Sequence, residues 1–296
     1  MNAVLRIFAA MLLALLAQGT QAQQAFPTAD VAAAELIAAL GTERSDPDKL
    51  IALLGADWNL YIPTKGIDRE DVDAFLAYYK EKHQIQLDSP DKAHLVVGNT
   101  PWTLPIPLVK AKDGWRFDPK AAAVEIRARR IGRNEAATLQ AVQAYFDAQM
   151  DYAEIDRDGD GVLEYAQQFI SSDGLYDGLY WPEEEGLEHS PLGPLFGDAL
   201  PGDDWHGYHY RILSGQGESA PGGAYDYRLG DNMSRGFAVI AWPAQYDDSG
   251  VMSFMISHEG QVFEKDLGPE TEKLAQAMPT FDPDSSWSEV EAQPEP

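Results

Sequence analysis

The residues best suited to inorganic chemistry lie between positions 156 and 167. Asp156, Asp158 and Asp160 occupy positions one, three and five of a calcium-loop pattern. Gly161 follows at position six for the sharp turn, the Val162 carbonyl stands at seven, and Glu164 at nine. Ca²⁺ takes six to eight oxygens, and alternate carboxylates in a tight turn supply about half of them. The twelfth position calls for a bidentate Glu, and here it is Gln167. That change removes a charge and a firm ligand, so the expected Ca²⁺ site is structural rather than sensor-like. Asp173 and Asp177 lie close enough in sequence to complete it. The plainer reading is a Gly/Asp-rich turn that ends a helix.

Other chemistries find less support. His206 and His209 are three apart on an expected strand, which points their side chains to opposite faces and leaves zinc without a third ligand. His83, His94, His189 and His258 are scattered. The chain has no Gly-x-Ser-x-Gly nucleophile elbow. Glu183, Glu184 and Glu185 follow Trp181-Pro182 as a loop of consecutive carboxylates, a pattern that is usually solvated rather than a spaced glycosidase pair. Tyr176, Tyr180, Trp181, Trp205, Tyr208 and Tyr210 crowd a turn-rich stretch. Of these, Tyr180, Trp181, Trp205 and Tyr208 are the candidates for holding a peptide or sugar. Covering one end of a sheet is the favoured alternative for the cluster.

The composition narrows the partners. The 296 residues carry 22 Lys+Arg against 48 Asp+Glu, a net charge of -26. Phosphate recognition needs clustered cations, so nucleic acid is excluded as a partner, and an anionic membrane surface is disfavoured. The hydrophobic fraction of 45% supports a buried core, and the length fits about two domains. Cysteine is absent, which removes disulfides, thiolate nucleophiles and a lipid-anchored N-terminus. Residues 1–22 read as a signal peptide: Arg6 is the positive start, Ile7 to Ala17 the apolar run, and Thr20-Gln21-Ala22 the cleavage site. The expected location is periplasmic or secreted, with no stable membrane insertion after cleavage.

The elements that must position the loop can be read in order. Asp30 to Leu40 predicts a helix capped by Asp30, and a second runs to Leu54. A third begins at Asp68, with Val72, Phe75, Leu76 and Tyr79 at helical spacing. Leu95-Val96-Val97 predicts a strand, and Thr103 to Lys110 an edge strand because Pro105 and Pro107 cannot donate. Asp113-Gly114 turns into the strand Trp115-Arg116-Phe117, and Asp118-Pro119 opens a helix to about Arg130. Gly132 then breaks the chain. Asn134 caps a long helix to about Glu154, with Leu139, Val142, Phe146, Met150 and Ala153 as its apolar stripe and Tyr145 and Tyr152 flanking. Strands follow at 207–213, 224–228, 236–242, 251–257 and 261–265, then a short helix at 269–277. Past Phe281 the composition predicts a disordered tail, residues 282–296.

Three resemblances rest on these residues. The first half, helices followed by a hairpin into Gly114-Trp115-Arg116-Phe117, is similar to the cone-shaped α+β domains of the SnoaL and nuclear-transport-factor class. Blocks such as Arg129-Arg130-Ile131-Gly132-Arg133-Asn134-Glu135, Asp177-Gly178-Leu179-Tyr180-Trp181-Pro182, His206-Gly207-Tyr208-His209-Tyr210-Arg211 and Lys265-Asp266-Leu267-Gly268-Pro269 resemble the bacterial exported family known as domain of unknown function 2950. That resemblance implies no activity. The second half, through Gly236 to Pro243 and Gly250 to Phe254, resembles the globular heads of type IV pilins and pseudopilins. Pilins join a hydrophobic N-terminal helix to the head, whereas here a domain precedes Gly132, so polymerisation is not implied.

The fold class expected is α+β. A small cone-like domain spans 23–131, and a pilin-head-like domain spans 132–281, with a long helix packed on an antiparallel sheet. The function expected is non-enzymatic binding of an envelope protein or peptide, with Ca²⁺ as structural support. The alternative is a periplasmic hydrolase working with Asp or Glu carboxylates.

Overall fold

The computed structural model describes residues 23–63, 68–182, 189–193 and 204–291. The expected signal peptide lies outside the described residues, as do Glu183, Glu184 and Glu185. The chain is an α+β protein that divides into two compact units, Met1–Ile126 and Arg127–Pro296. Among the described residues, no helix is long and apolar enough to cross a membrane.

In the first unit, α1 (Ala29–Leu40) starts at Thr28 rather than Asp30, because the Thr28 hydroxyl accepts the Val31 N–H. Asp30 falls within the first turn, where its charge still favours the positive helix end. Helix α2 (Pro47–Leu54) is capped by Asp46, and α3 (Arg69–Glu81) by a reciprocal box between Asp68 and Asp71. The strands are β1 (His83–Ser89), β2 (Lys92–Val97), β3 (Trp102–Thr103), β4 (Leu108–Ala111) and β5 (Gly114–Phe117). They form one antiparallel sheet ordered β1-β2-β4-β5, with β3 also pairing β2. Strand β1 is an addition to the expected elements. The run 103–110 is not one edge strand: its prolines connect β3 to β4, and β4 lies between β2 and β5. The core sets the alanine-rich face of α1 (Ala32, Ala33, Leu36) with Leu95, Val97, Leu108, Trp115 and Phe117 of the sheet. Small residues let the helix come close.

Helix α4 (Pro119–Tyr152) runs 34 residues without a break at Gly132. A Cβ at Gly132 would meet nothing within 4 Å, so the glycine answers no packing demand. Its cost of about 1 kcal/mol relative to Ala is smaller than the cost of ending a helix flanked by good formers. The buried face is rotated from the expected stripe. Thr138, Ala141, Val142, Tyr145, Ala148, Gln149 and Tyr152 are buried, whereas Met150 is 46% exposed. Tyr145 and Tyr152, expected to flank the stripe, are core residues.

The second sheet contains β6 (Tyr208–Leu213), β9 (Ala238–Pro243), β10 (Met252–Ser257), β11 (Val262–Asp266) and β12 (Ser288–Glu289), ordered β12-β11-β10-β9-β6. A separate pair joins β7 (Gly215–Gln216) to β8 (Tyr225–Asp226). Every residue of β9 is buried, as its unbroken apolar run requires of a central strand covered on both faces. Tyr145 of α4 packs its ring edge-on to Phe237 at 5.7 Å, and the Glu135 carboxylate accepts the Val251 and Met252 amides, both at 3.0 Å. The short helix α5 (Thr271–Ala277) is held at its C-terminal end by Arg211, which donates to the Ala275 and Met278 carbonyls. Residues 282–291 of the tail expected to be disordered are ordered, and residues 292–296 lie outside the described residues. Trp287 is buried, Lys265 sits over its ring at 5.8 Å, and β12 extends the sheet beside β11.

Candidate metal centre and the hollow beside it

The acidic loop leaves the C-terminal end of α4 and folds on its own backbone. Asp156 accepts the Gly159 N–H on Oδ1 at 2.8 Å and the Gly161 N–H on Oδ2 at 2.9 Å. Asp158 accepts the Asp160 N–H at 3.1 Å, and Asp160 accepts the Val162 N–H at 2.8 Å. Gly159 and Gly161 have φ of 77° and 90°, the left-handed region that glycine enters without strain. One oxygen from each of Asp156, Asp158 and Asp160 lies within 4.8 Å of the others. A carboxylate offers about four lone-pair directions, so these turn bonds leave capacity for a cation. The Gly161 and Gly159 amides hold the Asp156 carboxyl below the usual carboxylate range.

Glu164 follows at position nine and is half-buried. Burial pushes its carboxyl up, the charge of Asp158 adds to this, and Asp160 and Asp156 contribute further; a Met233 backbone hydrogen bond opposes the shift. A divalent cation would relieve that crowding. The donor set of three converging carboxylates with a fourth nearby therefore suits a hard, oxygen-seeking ion such as Ca²⁺. Gln167 is turned elsewhere: its Nε2 donates to the Asp231 carbonyl at 2.6 Å. Asp177 accepts the Ser172 N–H at 2.7 Å and the Ser172 hydroxyl at 2.8 Å, so it serves its own loop.

Three residues that sequence reasoning missed hold the loop in place. Arg157 stacks its guanidinium over Tyr152 at 4.5 Å and Trp181 at 5.7 Å, and donates to the Tyr152 carbonyl at the helix end. Asn232 donates to Asp160 Oδ2 at 2.6 Å, which ties the loop to a turn far along the chain. Gln149, buried in α4, bonds both backbone groups of Ala166 just past the loop. The cation between aspartates was visible in the sequence as a departure from the acidic run. The other two depend on tertiary contacts alone.

Beside the loop is a hollow of about 230 Å³ lined by Tyr152, Glu164, Tyr165, Gln167, Gln168 and Asp177. Burial pushes the Tyr152 phenol up to about 12, and its hydroxyl donates to the Tyr176 carbonyl at 2.8 Å. The Ser172 hydrogen bonds outweigh burial and hold the Asp177 carboxyl low. Glu164 and Asp177 thus line one hollow with their carboxyl groups displaced in opposite directions.

The candidate aromatic residues are distributed differently from the expectation. Tyr208 is fully buried with its hydroxyl donating to the Met252 carbonyl at 2.8 Å, and Trp181 is buried edge-on to Tyr176 at 4.9 Å. Both are packing residues, which corrects their assignment to a ligand-facing surface. Tyr180 is half-buried and joined to Phe169 and Ser171 through its backbone. Trp205 is half-buried against Tyr210 at 5.8 Å. His206 lies in the turn before β6 with φ 53°, not on a strand, while His209 of β6 faces Trp242 at 5.7 Å.

Fold and site together define an α+β protein with a carboxylate loop at the end of a long helix. A family model described as Protein of unknown function (DUF2950) matches residues 23–290, and the chain belongs to that family. No curated protein and no solved structure matches the chain.

Proposed function

We propose that this chain is an exported, non-enzymatic binding component of the cell envelope, in which Ca²⁺ fixes the acidic loop of the second unit. The observation that carries the metal part is the convergence of Asp156, Asp158 and Asp160 within 4.8 Å at calcium-loop spacing. Asp156, Asp158, Asp160 and Glu164 would hold the ion, with the Val162 carbonyl as the backbone ligand, and Gln167 would stay with Asp231. Export is supported by the signal-peptide character of residues 1–22 and by a family match that starts at residue 23. The pilin-head resemblance is supported by the order of long helix, loop and antiparallel sheet. The partner class is an envelope protein or peptide. Titration calorimetry of the protein with CaCl₂ tests the metal: heat that disappears in Asp156→Asn supports it, and no heat at millimolar Ca²⁺ sinks it. Fractionation of the producing cell tests export, since a cytoplasmic product of unprocessed length overturns it.

One observation favours a second reading, a hydrolase using carboxylates. Glu164 and Asp177 share a hollow with oppositely displaced carboxyl groups, as a general acid and a base require. Chromogenic glycosides and peptides are the test. Turnover lost in both Glu164→Gln and Asp177→Asn supports it, and no turnover by the unmodified protein rejects it.

A further inference from the structure

Strand β1 has an unpartnered edge with a defined geometry. Among the described residues it pairs only with β2, and six of its seven residues are exposed, with Ile85 partly covered. Its register sets Gln84 opposite Val96, Ile85 opposite Leu95 and Gln86 opposite His94, and shifts between Leu87 and Ser89, where Asp88 is the extra residue. The direction of its backbone groups follows from neighbouring bonds. Leu95 and Asp91 of the β2 hairpin give their carbonyls to Leu104 and Lys110, away from β1, at 2.8 Å each. Just before the strand, Gly98 donates to the Lys82 carbonyl at 2.9 Å. Antiparallel pairs alternate, so Lys82, Gln84 and Gln86 bond toward β2. His83, Ile85 and Leu87 therefore point their N–H and C=O groups to the open edge.

That edge is self-complementary. A two-fold axis at Ile85 would place Ile85 against its own copy, His83 against Leu87, Gln84 against Gln86, and Lys82 against Asp88. The central pair falls on a residue whose backbone groups point outward, as a hydrogen-bonded antiparallel pair requires. Lys82 already has extended backbone, with φ -160° and ψ 136°, so the strand continues through it. The outward face then carries two carboxamide pairs flanked by opposite charges at both ends. The other face covers Leu87, which is 63% exposed. Asp88 also receives His94 at 2.8 Å and Lys92 at 3.8 Å within its own chain, which holds the carboxylate on this strand.

We propose that two copies of this chain associate through antiparallel pairing of the β1 edges about Ile85, with Lys82 of each copy facing Asp88 of the other. The symmetry closes after two copies, so the product is a dimer rather than a filament. Charge complementarity and backbone parity select a second copy as the occupant of this edge.

The test is sedimentation velocity on the protein as its producing cell leaves it, over micromolar to about millimolar concentration. A concentration-dependent dimer is expected. Leu87→Pro removes an N–H that points outward and puts the proline ring in the partner's path, while the β1–β2 ladder keeps its bonds. This variant should be monomeric with an unchanged thermal melt. Lys82→Asp and Asp88→Lys should each self-associate at least ten-fold more weakly than the unmodified chain, and a mixture of the two should form heterodimers. A chain that stays monomeric throughout overturns the proposal. So does a dimer that survives Leu87→Pro, or a mixture that does not pair. If Leu87→Pro fails to fold, the mixing experiment decides alone.

Discussion

Gln149 and Ala166 are joined as two strands would be. The Gln149 Nε2 donates to the Ala166 carbonyl at 2.8 Å, and its Oε1 accepts the Ala166 N–H at 2.8 Å. Both residues are buried, and Ala166 is the point where the chain re-enters the core after the acidic loop. One helix side chain thus satisfies a whole peptide step that has no ladder partner there.

Gln149→Ala would leave both backbone groups of Ala166 buried without partners. Each such group costs about 1–3 kcal/mol, so the loss is about 2–6 kcal/mol. Urea denaturation followed by circular dichroism measures it. A loss below about 0.5 kcal/mol, the level of a surface substitution, would show that the pairing is unimportant.

Ca²⁺ should raise the melting temperature. Sites of this kind in extracellular modules bind at about 10⁻⁴–10⁻³ M. At ten times that concentration the linkage gives about 1.4 kcal/mol. For a unit the size of Arg127–Pro296, which carries the loop, that is about 3–6 °C. Asp158→Asn should abolish the shift, and Mg²⁺ should produce less of it, since Mg²⁺ keeps its water. Equal shifts with either ion in both proteins would point to non-specific screening of the acidic surface.

Acid should weaken the fold through His258 before the carboxylates titrate. Its ring packs among Tyr225, Tyr227 and Phe237, its Nε2 faces the Tyr225 hydroxyl at 3.2 Å, and Glu259 lies 3.5 Å away. Burial pushes the imidazole below its usual value more than Glu259 raises it. The folded state therefore prefers the neutral ring. Its contribution is complete above the unfolded value of about 6.5 and is lost as pH falls through the folded one. Melts from pH 7.5 to 5 should decline in the unmodified protein and flatten in His258→Gln. An unchanged slope in the variant would assign the decline to other groups.

Gly250→Ala should be costly because of one neighbour. A Cβ at Gly250 would lie 2.1 Å from the Tyr208 hydroxyl oxygen, which is held by the Met252 carbonyl. Relief requires moving a fully buried ring, at about 1–3 kcal/mol. Gly250→Ala with Tyr208→Phe should recover part of the loss, a non-additivity that a double-mutant cycle reads directly.

The sheet of the second unit was legible because its strands carry their own signals. Gly236 to Trp242 is an uninterrupted apolar run, and β10 and β11 flank a turn at Gly260 with φ 81°. The helix start at Asp68 and the carboxylate spacing at 156–160 are likewise local patterns. What escaped reading was decided by tertiary contacts. Gly132 looked like a stop, yet neighbouring propensity carried the helix through it. Met150 looked like core, but the sheet meets α4 on the face of Tyr145 and Tyr152. Gln149, Asn232 and the turn at Met233 act on the loop through folding alone. Strand β1 did alternate, as Gln84-Ile85-Gln86-Leu87, but its sparse apolar residues hid it. The acidic tail seemed too polar to order, and buried Pro283 and Trp287 supply the apolar surface that seats it.

The short strand at Ser288–Glu289 also bears on the order in which the molecule can be made. A chain that emerges N-terminus first delivers β11 before β12, so the edge of β11 at Phe263 and Glu264 stays uncovered until the segment near Trp287 arrives. During that interval the half-made sheet is open to neighbouring chains, and speed of completion guards against clumping. Cutting the gene after Phe281 would make that interval permanent.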